Sequence, residues 1–218
     1  MPFTFMSHTP YPLTGVARGP GGSPHRRCKV KSMATSETAT LGGGCFWCLE
    51  AVYDEMQGVL TVESGYMGGH LANPDYRSVC TGTTGHVEVV QMTFDPAVTT
   101  YREILEVFFA THDPTSRDRQ ANDAGPQYRS VIFFHSDAQR QTAEQMIAEL
   151  DHEGAFSRPI VTDLRAATEF YIAEDYHQEY FRNNPQQPYC TFVVSPKLKK
   201  FREKFAGKLR GHANRKSV

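Results

Sequence analysis

The residues with the clearest chemical potential form the run Gly44-Cys45-Phe46-Trp47-Cys48, which follows a short predicted strand and a row of glycines. A helix is predicted to begin at this run. A thiol at a helix start lies near unpaired backbone N–H groups and the positive end of the helix dipole, and both favour the nucleophilic thiolate. The rings of Phe46 and Trp47 would give a small methyl-bearing group an apolar socket. The run therefore predicts nucleophilic chemistry at Cys45.

Other interpretations of this run stay open on the residues alone. Aromatic rings near a helix start usually belong to the core. Cys45 and Cys48 could be half of a zinc site, but the isolated Cys80 and Cys190 do not supply the second close pair that a zinc ribbon needs. The two thiols could also form a thioredoxin-like redox pair, which the strand-to-helix setting suits as well as it suits a thiol reductase.

Glu88 separates these two redox interpretations. In the alternating strand predicted over 86–94, Glu88 shares a face with Val90 and Met92, so its carboxyl is expected to point into the apolar interior. Burial pushes a carboxyl toward its neutral, proton-donating form; the alternative is a partly exposed glutamate near the strand edge. The oxygen of an S=O bond must gain protons when its sulfur is attacked, whereas disulfide exchange has no such oxygen. A buried Glu88 therefore favours a reductase of S=O bonds.

The H-x-E sequence that ends at Glu88 is also found in nucleoside deaminases. In those enzymes it precedes a P-C-x-x-C motif. Here the C-x-x-C comes first and lacks the proline. A deaminase is therefore excluded.

Several further motifs, in the same order along the chain, resemble those of the A-type peptide methionine sulfoxide reductases over residues 38–205. They are Gly44-Cys45-Phe46-Trp47, Gly65-Tyr66-Met67-Gly68-Gly69, Asn73-Pro74-Asp75-Tyr76, Gly85-His86-Val87-Glu88-Val89-Val90, Asn122-Asp123, Gln127-Tyr128-Arg129-Ser130 and Ala173-Glu174-Asp175-Tyr176-His177-Gln178. The first motif alone would be only suggestive, whereas the ordered set is very specific.

The resemblance implies the reaction and its main residues. Cys45 attacks the sulfoxide sulfur and becomes a sulfenic acid, while Phe46 and Trp47 hold the S-methyl group of the substrate. Glu88 donates to the sulfoxide oxygen. Members of the family act on the S epimer of methionine sulfoxide, free and in proteins. They need no metal or other cofactor, and thioredoxin usually regenerates them.

A polar cluster around the sulfoxide oxygen is also implied by the resemblance. The hydroxyls of Tyr76 and Tyr128 help to bind the oxygen, and Asp123 contributes through water. Two departures lie in this region, because Ala121 and Pro126 stand where the family usually has glycine and threonine. Pro126 removes a backbone donor, which puts the position of the loop in doubt.

The thiol that resolves the sulfenic acid is a further question. Cys28 lies in a predicted disordered extension, and the family gives Cys80 no redox role. Cys48 is three residues along the same helix as Cys45, a spacing that permits a disulfide. Cys190 lies in a predicted flexible, proline-flanked segment, where resembling proteins carry a resolving cysteine. We therefore favour Cys190, with Cys48 as the alternative.

The pattern of elements predicts one α+β domain, a mixed sheet with helices packed on it in a two-layer sandwich. Helical spacing of apolar residues predicts helices over about 46–56, 101–112, 137–150 and 174–181, and strands are predicted at 39–41, 59–66, 86–94, 131–134 and 160–164. Residues 1–36 are predicted to be a disordered or transit-like extension, 37–206 the reductase domain and 207–218 a basic tail. The extension has no acidic residue before Glu37, as in organelle transit peptides.

Composition excludes several classes of function. The 218 residues carry a formal net charge of −1, so the charge balance does not point to nucleic acid as a partner. No apolar run in the sequence is long enough to cross a membrane. Five cysteines, an odd number, argue against a secreted disulfide scaffold and favour a reducing compartment. We predict a cytoplasmic monomer, or an organellar protein if the extension is a transit peptide. A dithiol–disulfide carrier and a module that binds oxidised methionine remain alternative functions.

Overall fold

The computed structural model describes residues 36–211 of the chain. The predictions for the N-terminal extension, including Cys28, and for the end of the basic tail lie outside these residues. Within 36–211, no helix is both long and apolar enough to cross a membrane.

Strands and helices alternate along the described chain. The strands are β1 (Glu37–Gly42), β2 (Val59–Met67), β3 (Val87–Phe94), β4 (Arg119–Gln120), β5 (Asp123–Ala124), β6 (Val131–Phe134), β7 (Asp163–Ala166) and β8 (Phe170–Ile172). The α-helices are α1 (Phe46–Asp54), α2 (Tyr76–Val79), α3 (Tyr101–Thr111), α4 (Asp137–His152), α5 (Tyr180–Asn183) and α6 (Ser195–Lys204).

One six-stranded sheet organises the fold, in the order β7-β6-β1-β3-β2-β8. Strands β6 and β7 run parallel, and the other neighbours are antiparallel. Strands β4 and β5 form a separate two-stranded ribbon. The sheet is mixed and carries packed helices, so the predicted α+β fold is confirmed.

Strand β3 lies between β1 and β2 in the sheet and is buried on both faces. Apolar side chains point from it alternately to one face and to the other. Val90 and Met92 join the large core that the helices cover, whereas Val87 and Val89 join a smaller cluster on the other face. Glu88 is 1% exposed on this strand, which confirms its predicted burial.

Helix starts follow local capping chemistry. The hydroxyl of Thr100 caps α3 and completes a capping box with Glu103. At α4 the cap is Ser136, whose hydroxyl accepts a hydrogen bond from the backbone N–H of Gln139, and Asp137 is the first helical residue.

The last third of the domain differs most from the sequence prediction. The strand expected at 160–164 lies at Asp163–Ala166, and β8 was not predicted. The helix expected over 174–181 is divided into a 3₁₀ turn at Asp175–His177 and the short α5. The division falls at Glu179, whose φ of 50° is left-handed and ends a right-handed helix.

Residues after 206 still belong to the fold. The Lys208 ammonium donates to the carboxylates of Glu103 and Glu106, at 2.9 and 3.2 Å. Leu209 forms an isolated antiparallel bridge with Met56. The ordered domain therefore continues past the boundary predicted at 206.

Candidate functional site

Cys45 lies at the N-terminus of α1, as its sequence context predicts. Gly44 adopts a φ of 93°, and a Cβ there would lie 2.8 Å from the Cβ of Gln120, so this tight turn favours glycine. Cys45 is the N-cap residue of α1 and is 7% exposed.

Glu88 reaches the same helix start from the centre of the sheet. Its Oε2 accepts a hydrogen bond from the backbone N–H of Phe46, at 3.1 Å. Burial raises the pKa of Glu88 to about 8, although the bond from Phe46 opposes this shift. The carboxyl therefore carries a proton near neutral pH and can donate it.

The thiol of Cys45 departs from the thiolate expected at a helix start. Burial raises its pKa well above the ordinary value, and a hydrogen bond with Cys48 adds to the effect. That same bond lowers the pKa of Cys48 to about 7, helped by the positive charge of Lys197. The surroundings of the pair therefore favour a negative charge on Cys48 over one on Cys45.

Aromatic rings form one wall of the site. The Trp47 indole stacks on the Tyr180 ring, with centroids 3.7 Å apart and planes 7° apart. The Tyr189 ring meets the indole edge-on at 5.7 Å, and the Phe46 centroid lies 6.2 Å away. This wall is apolar and can accept a methyl group.

Tyr76 and Tyr128 add two phenol groups to the lining of the site. The backbone N–H of Tyr76, at the start of α2, donates to Glu174 Oε1 at 2.8 Å, which fixes the position of this residue. Burial raises the pKa of both hydroxyls above the usual tyrosine range. Both therefore stay protonated and can donate hydrogen bonds.

Asp123 occupies the ribbon that closes the site. Its Oδ2 accepts a hydrogen bond from the Tyr189 hydroxyl at 2.6 Å. Ala121, a departure from the family pattern, adopts a left-handed φ of 53°, where glycine would be less strained. Pro126 is the first residue of a 3₁₀ turn, where a backbone donor is not required. Neither departure prevents Asp123 and Tyr128 from reaching the site.

These side chains enclose one small cavity of about 160 Å³. It is lined by Cys45, Phe46, Trp47, Tyr76, Glu88, Asp123, Tyr128 and Tyr189. Seven of the eight predicted site residues thus meet in one place. A larger cavity of about 460 Å³, between α3, α4 and α6, contains none of them, so its size does not make it the functional site.

Cys190, the eighth predicted residue, does not line the cavity. It begins a π-helical turn over Cys190–Val194, which continues into α6, and its side chain is 0% exposed. The predicted flexible segment is therefore a packed helical turn at this residue.

The sequence analysis assigned no role to two residues of the site, Tyr189 and His177. The imidazole of His177 lies 4.5 Å from the Tyr76 ring and 5.0 Å from that of Phe46, centroid to centroid. Burial lowers its pKa, so the ring is neutral. The sequence offered one indication for each residue. His177 lies in one of the motifs that resemble the family, and Tyr189 directly precedes Cys190.

Comparison with known proteins decides the family. The family model described as peptide methionine sulfoxide reductase matches residues 37–209. The chain belongs to this family. The protein is accordingly an oxidoreductase enzyme that reduces methionine sulfoxide.

Relatives named peptide methionine sulfoxide reductase MsrA resemble this reductase along most of their length. One from Deinococcus radiodurans is 52% identical over 200 residues, which cover 88% of this chain and 97% of the relative. Another, from Ralstonia nicotianae, is 58% identical over 177 residues, 79% of this chain and 93% of the relative.

Solved structures of the family share the fold of the reductase. The reduced form of Mxr1 from Saccharomyces cerevisiae has a TM-score of 0.66 at 35% identity and covers 72% of this chain and 91% of its own. Methionine sulfoxide reductase A of Corynebacterium diphtheriae has a TM-score of 0.62 at 38% identity and covers 69% of this chain and 76% of its own.

Proposed function

We propose that this reductase acts on the S epimer of methionine sulfoxide, free and in proteins, with Cys45 as the nucleophile. The observation that carries the proposal is that Cys45 and a protonated Glu88 line the same cavity of about 160 Å³. A cavity of this size suits a methyl sulfoxide group rather than a whole side chain with its backbone.

The cavity can orient a sulfoxide in one way. The S-methyl group fits against Phe46 and Trp47, and the oxygen faces the donors Glu88, Tyr76 and Tyr128. The methyl group, the oxygen and the attacking thiol each occupy a fixed side of the sulfoxide sulfur. Because this sulfur is chiral, its remaining substituent, the rest of the methionine, points out of the cavity in only one of the two epimers. This arrangement supports discrimination between epimers, and the family resemblance indicates the S epimer.

The reaction moves one oxygen atom. The Cys45 sulfur attacks the sulfoxide sulfur while Glu88 protonates the oxygen, and Tyr76 and Tyr128 stabilise the developing charge. Transfer of the oxygen leaves methionine and converts the Cys45 thiol into a sulfenic acid. A second thiol then condenses with this acid to give a disulfide and water.

Regeneration completes the proposed cycle. Cys190 is the proposed resolving thiol, because the π-helical turn that it begins packs against α1, the helix that Cys45 caps. Thioredoxin is the proposed reductant of the final disulfide. We infer that the enzyme works as a monomer in the cytoplasm. One chain supplies the whole cavity, and the odd number of cysteines favours a reducing compartment.

The direct test is an assay of methionine release from separate S and R sulfoxide epimers, with dithiothreitol as the reductant. The S epimer is expected to be reduced and the R epimer to be inert. Cys45→Ser should abolish the reaction, and the parent should leave insulin disulfides intact. Equal rates on both epimers would contradict the proposed specificity, and insulin reduction without sulfoxide reduction would indicate a dithiol carrier.

A further inference from the structure

Gln120, in strand β4, is a buried residue at which three segments around the site meet. Its side chain is 3% exposed. Its Oε1 accepts a hydrogen bond from the backbone N–H of Asp113 at 2.9 Å, and its Nε2 donates to the Asp113 carbonyl oxygen at 2.6 Å. One partner is a donor and the other an acceptor, so both ends of the amide are needed. The side chain thereby joins β4 to the chain just beyond the end of α3.

The same side chain packs against the turn before the nucleophile. A Cβ added to Gly44 would lie 2.8 Å from the Cβ and 2.9 Å from the Cγ of Gln120. The preceding Gly43 packs on the last turn of α3, where an added Cβ would lie 2.9 Å from the Phe108 Cε2. Cys45 therefore follows a turn that is enclosed between Gln120 and α3.

The backbone of Gln120 leads to Asp123, which lines the cavity. These two residues are register partners in the β4–β5 ribbon, and the connection between them turns at Ala121, whose φ is 53°. Asp123 accepts the hydrogen bond of the Tyr189 hydroxyl at 2.6 Å, and Tyr189 lines the cavity as well. A shift of the ribbon would therefore move two lining residues relative to Cys45.

The ribbon depends on contacts with the rest of the domain. Strands β4 and β5 have two residues each and form a sheet of their own, apart from the six-stranded sheet. An isolated two-stranded ribbon is at best marginally stable in water. The two amide bonds of Gln120 are buried and reach backbone that follows directly on α3. They are therefore suited to fix where the ribbon lies.

We propose that Gln120 is a positioning residue of the reductase, which holds the Asp123 ribbon in register with the turn that carries Cys45. The inference rests on the proposed function, in which Asp123 and Cys45 act on the same sulfoxide group. Gln120 does not line the cavity, so it acts only through residues that do. Loss of its amide bonds should weaken sulfoxide binding more than it slows the chemistry, provided that the packing on Gly44 is kept.

The experiment measures the first turnover of reduced, full-length enzyme with the S epimer by rapid mixing and methionine release. It gives a maximal rate and a half-saturating concentration without any added reductant. Gln120→Met keeps Cβ and Cγ against Gly44 but forms neither amide bond. The half-saturating concentration should rise about tenfold, while the maximal rate stays within about threefold of the parent.

Gln120→Glu adds a readout that a general packing defect would not give. A carboxylate can accept from the Asp113 N–H, but it repels the Asp113 carbonyl oxygen. A protonated acid can donate to that oxygen as the amide does. Relative to the parent at each pH, the half-saturating concentration of Gln120→Glu should match that of Gln120→Met at pH 8. At pH 5.5 it should return to within about threefold of the parent, whereas Gln120→Met should not recover.

The charges around position 120 favour this recovery. The neighbouring carboxylates belong to Asp123 and to Asp113, which pairs with Arg158 at 3.3 Å. The imidazole of His112 stays neutral in this range, because burial lowers its pKa to about 4. Burial raises the pKa of an acid placed at position 120 above its ordinary value, so protonation should begin at a mildly acidic pH.

Gln139 provides the matched control. It is 5% exposed, accepts from the His135 N–H at 3.0 Å and donates to the Thr38 carbonyl oxygen at 2.8 Å. It therefore makes the same pair of backbone bonds in the first turn of α4, outside the cavity. Gln139→Met and Gln139→Glu should unfold at lower urea concentrations than the parent, as the Gln120 variants should. Both first-turnover values should stay at those of the parent.

The possible results separate the positioning role from the proposed function. Parent-like half-saturating concentrations in the Gln120 variants, or an equal rise in the Gln139 variants, would overturn the positioning role. Failure of Gln120→Glu to recover at pH 5.5 would overturn it as well, and this comparison with the parent decides alone if Gln120→Met does not fold. In all these cases the parent reduces the sulfoxide. A parent that releases no methionine would instead refute the proposed function.

Discussion

The Trp47 indole and the Tyr180 ring lie face to face, 3.7 Å apart between centroids. Trp47 is in α1 and Tyr180 is the first residue of α5, so this contact joins the nucleophile helix to a late segment of the chain. Buried Glu50 secures the contact, because its carboxylate oxygens accept the backbone N–H groups of Glu179 and Tyr180 at 3.0 and 3.3 Å. The methyl-binding wall thus depends on a carboxylate outside the cavity.

We expect Glu50→Gln to loosen this wall. A glutamine side chain presents only one acceptor to two N–H donors, and Glu179 is held in a left-handed conformation with φ of 50°. The KM for methyl sulfoxides should rise about tenfold with a smaller change in kcat. The emission of Trp47 should shift as well, and it reports this site alone because the chain has one tryptophan.

Asp54→Asn is the matched control for Glu50→Gln. Asp54 also joins α1 to α5, through an exposed ion pair with Arg182 at 2.5 Å. Exposed pairs contribute little to stability, so both the emission and KM should stay close to the parent values. An equal effect of the two substitutions would show that general α1–α5 contact, rather than the Glu50 carboxylate, holds the stack.

The second prediction concerns acid catalysis by Glu88. Glu88→Gln keeps the shape of the side chain but cannot supply a proton, so kcat/KM should fall more than about a hundredfold, or about 3 kcal/mol on the barrier. In the parent, the rate should decline as the pH rises through about 8, where the carboxyl loses its proton. This decline should be absent from the variant.

Glu63→Gln, a change of the same type at an exposed position of β2, should leave the rate and its pH profile unchanged. An unaltered rate and profile in Glu88→Gln would assign Glu88 a purely structural role.

Glu88 should also make folding stability depend on pH. Its pKa is raised in the folded state, so its favourable contribution is complete below its unfolded pKa of about 4.3 and is lost as the pH rises through about 8. Glu88→Gln does not titrate. Relative to the parent, its free energy of unfolding should therefore increase from pH 5 to pH 9, as measured by urea denaturation. A constant difference between the two proteins would contradict the raised pKa.

Features of the site that depend on neighbouring residues in the chain could be predicted from the sequence. The alternation along β3 predicts a buried Glu88, and the glycines before Cys45 predict a turn into a helix. The structure has both features. Each depends on residues that are close together in the chain.

The parts that were missed depend on distant contacts. Tyr189 enters the cavity because its hydroxyl meets Asp123, which is 66 residues away in the chain. The π-helical turn at Cys190 follows prolines that predict a loop, but packing against α1 buries it. Strand β8 has three residues and exists by pairing with β2. Spacing along the sequence does not encode these tertiary contacts.

The Gly65-Tyr66 motif has a steric explanation that can be tested by stability. A Cβ on Gly65 would lie 2.3 Å from Phe170 Cε2 and 2.5 Å from the Tyr171 carbonyl oxygen, where β2 pairs with β8. Gly65→Ala should therefore lower the free energy of unfolding by about 3 kcal/mol. Gly207→Ala, where a Cβ would meet nothing within 4 Å, should change it little. A stable Gly65→Ala protein would show that β8 can move away without cost.

The last prediction separates the chemistry at Cys45 from recycling. Cys190→Ser leaves every residue that lines the cavity in place, so one fast turnover should remain in a rapid-mixing experiment. Steady-state activity with thioredoxin should fall at least tenfold, because the variant lacks the thiol proposed to convert the Cys45 sulfenic acid into the disulfide that thioredoxin reduces. Activity with dithiothreitol, a much smaller reductant, should fall less. A Cys190→Ser enzyme that cycles normally with thioredoxin would make the Cys45–Cys48 disulfide the direct substrate of the reductant and remove Cys190 from the cycle.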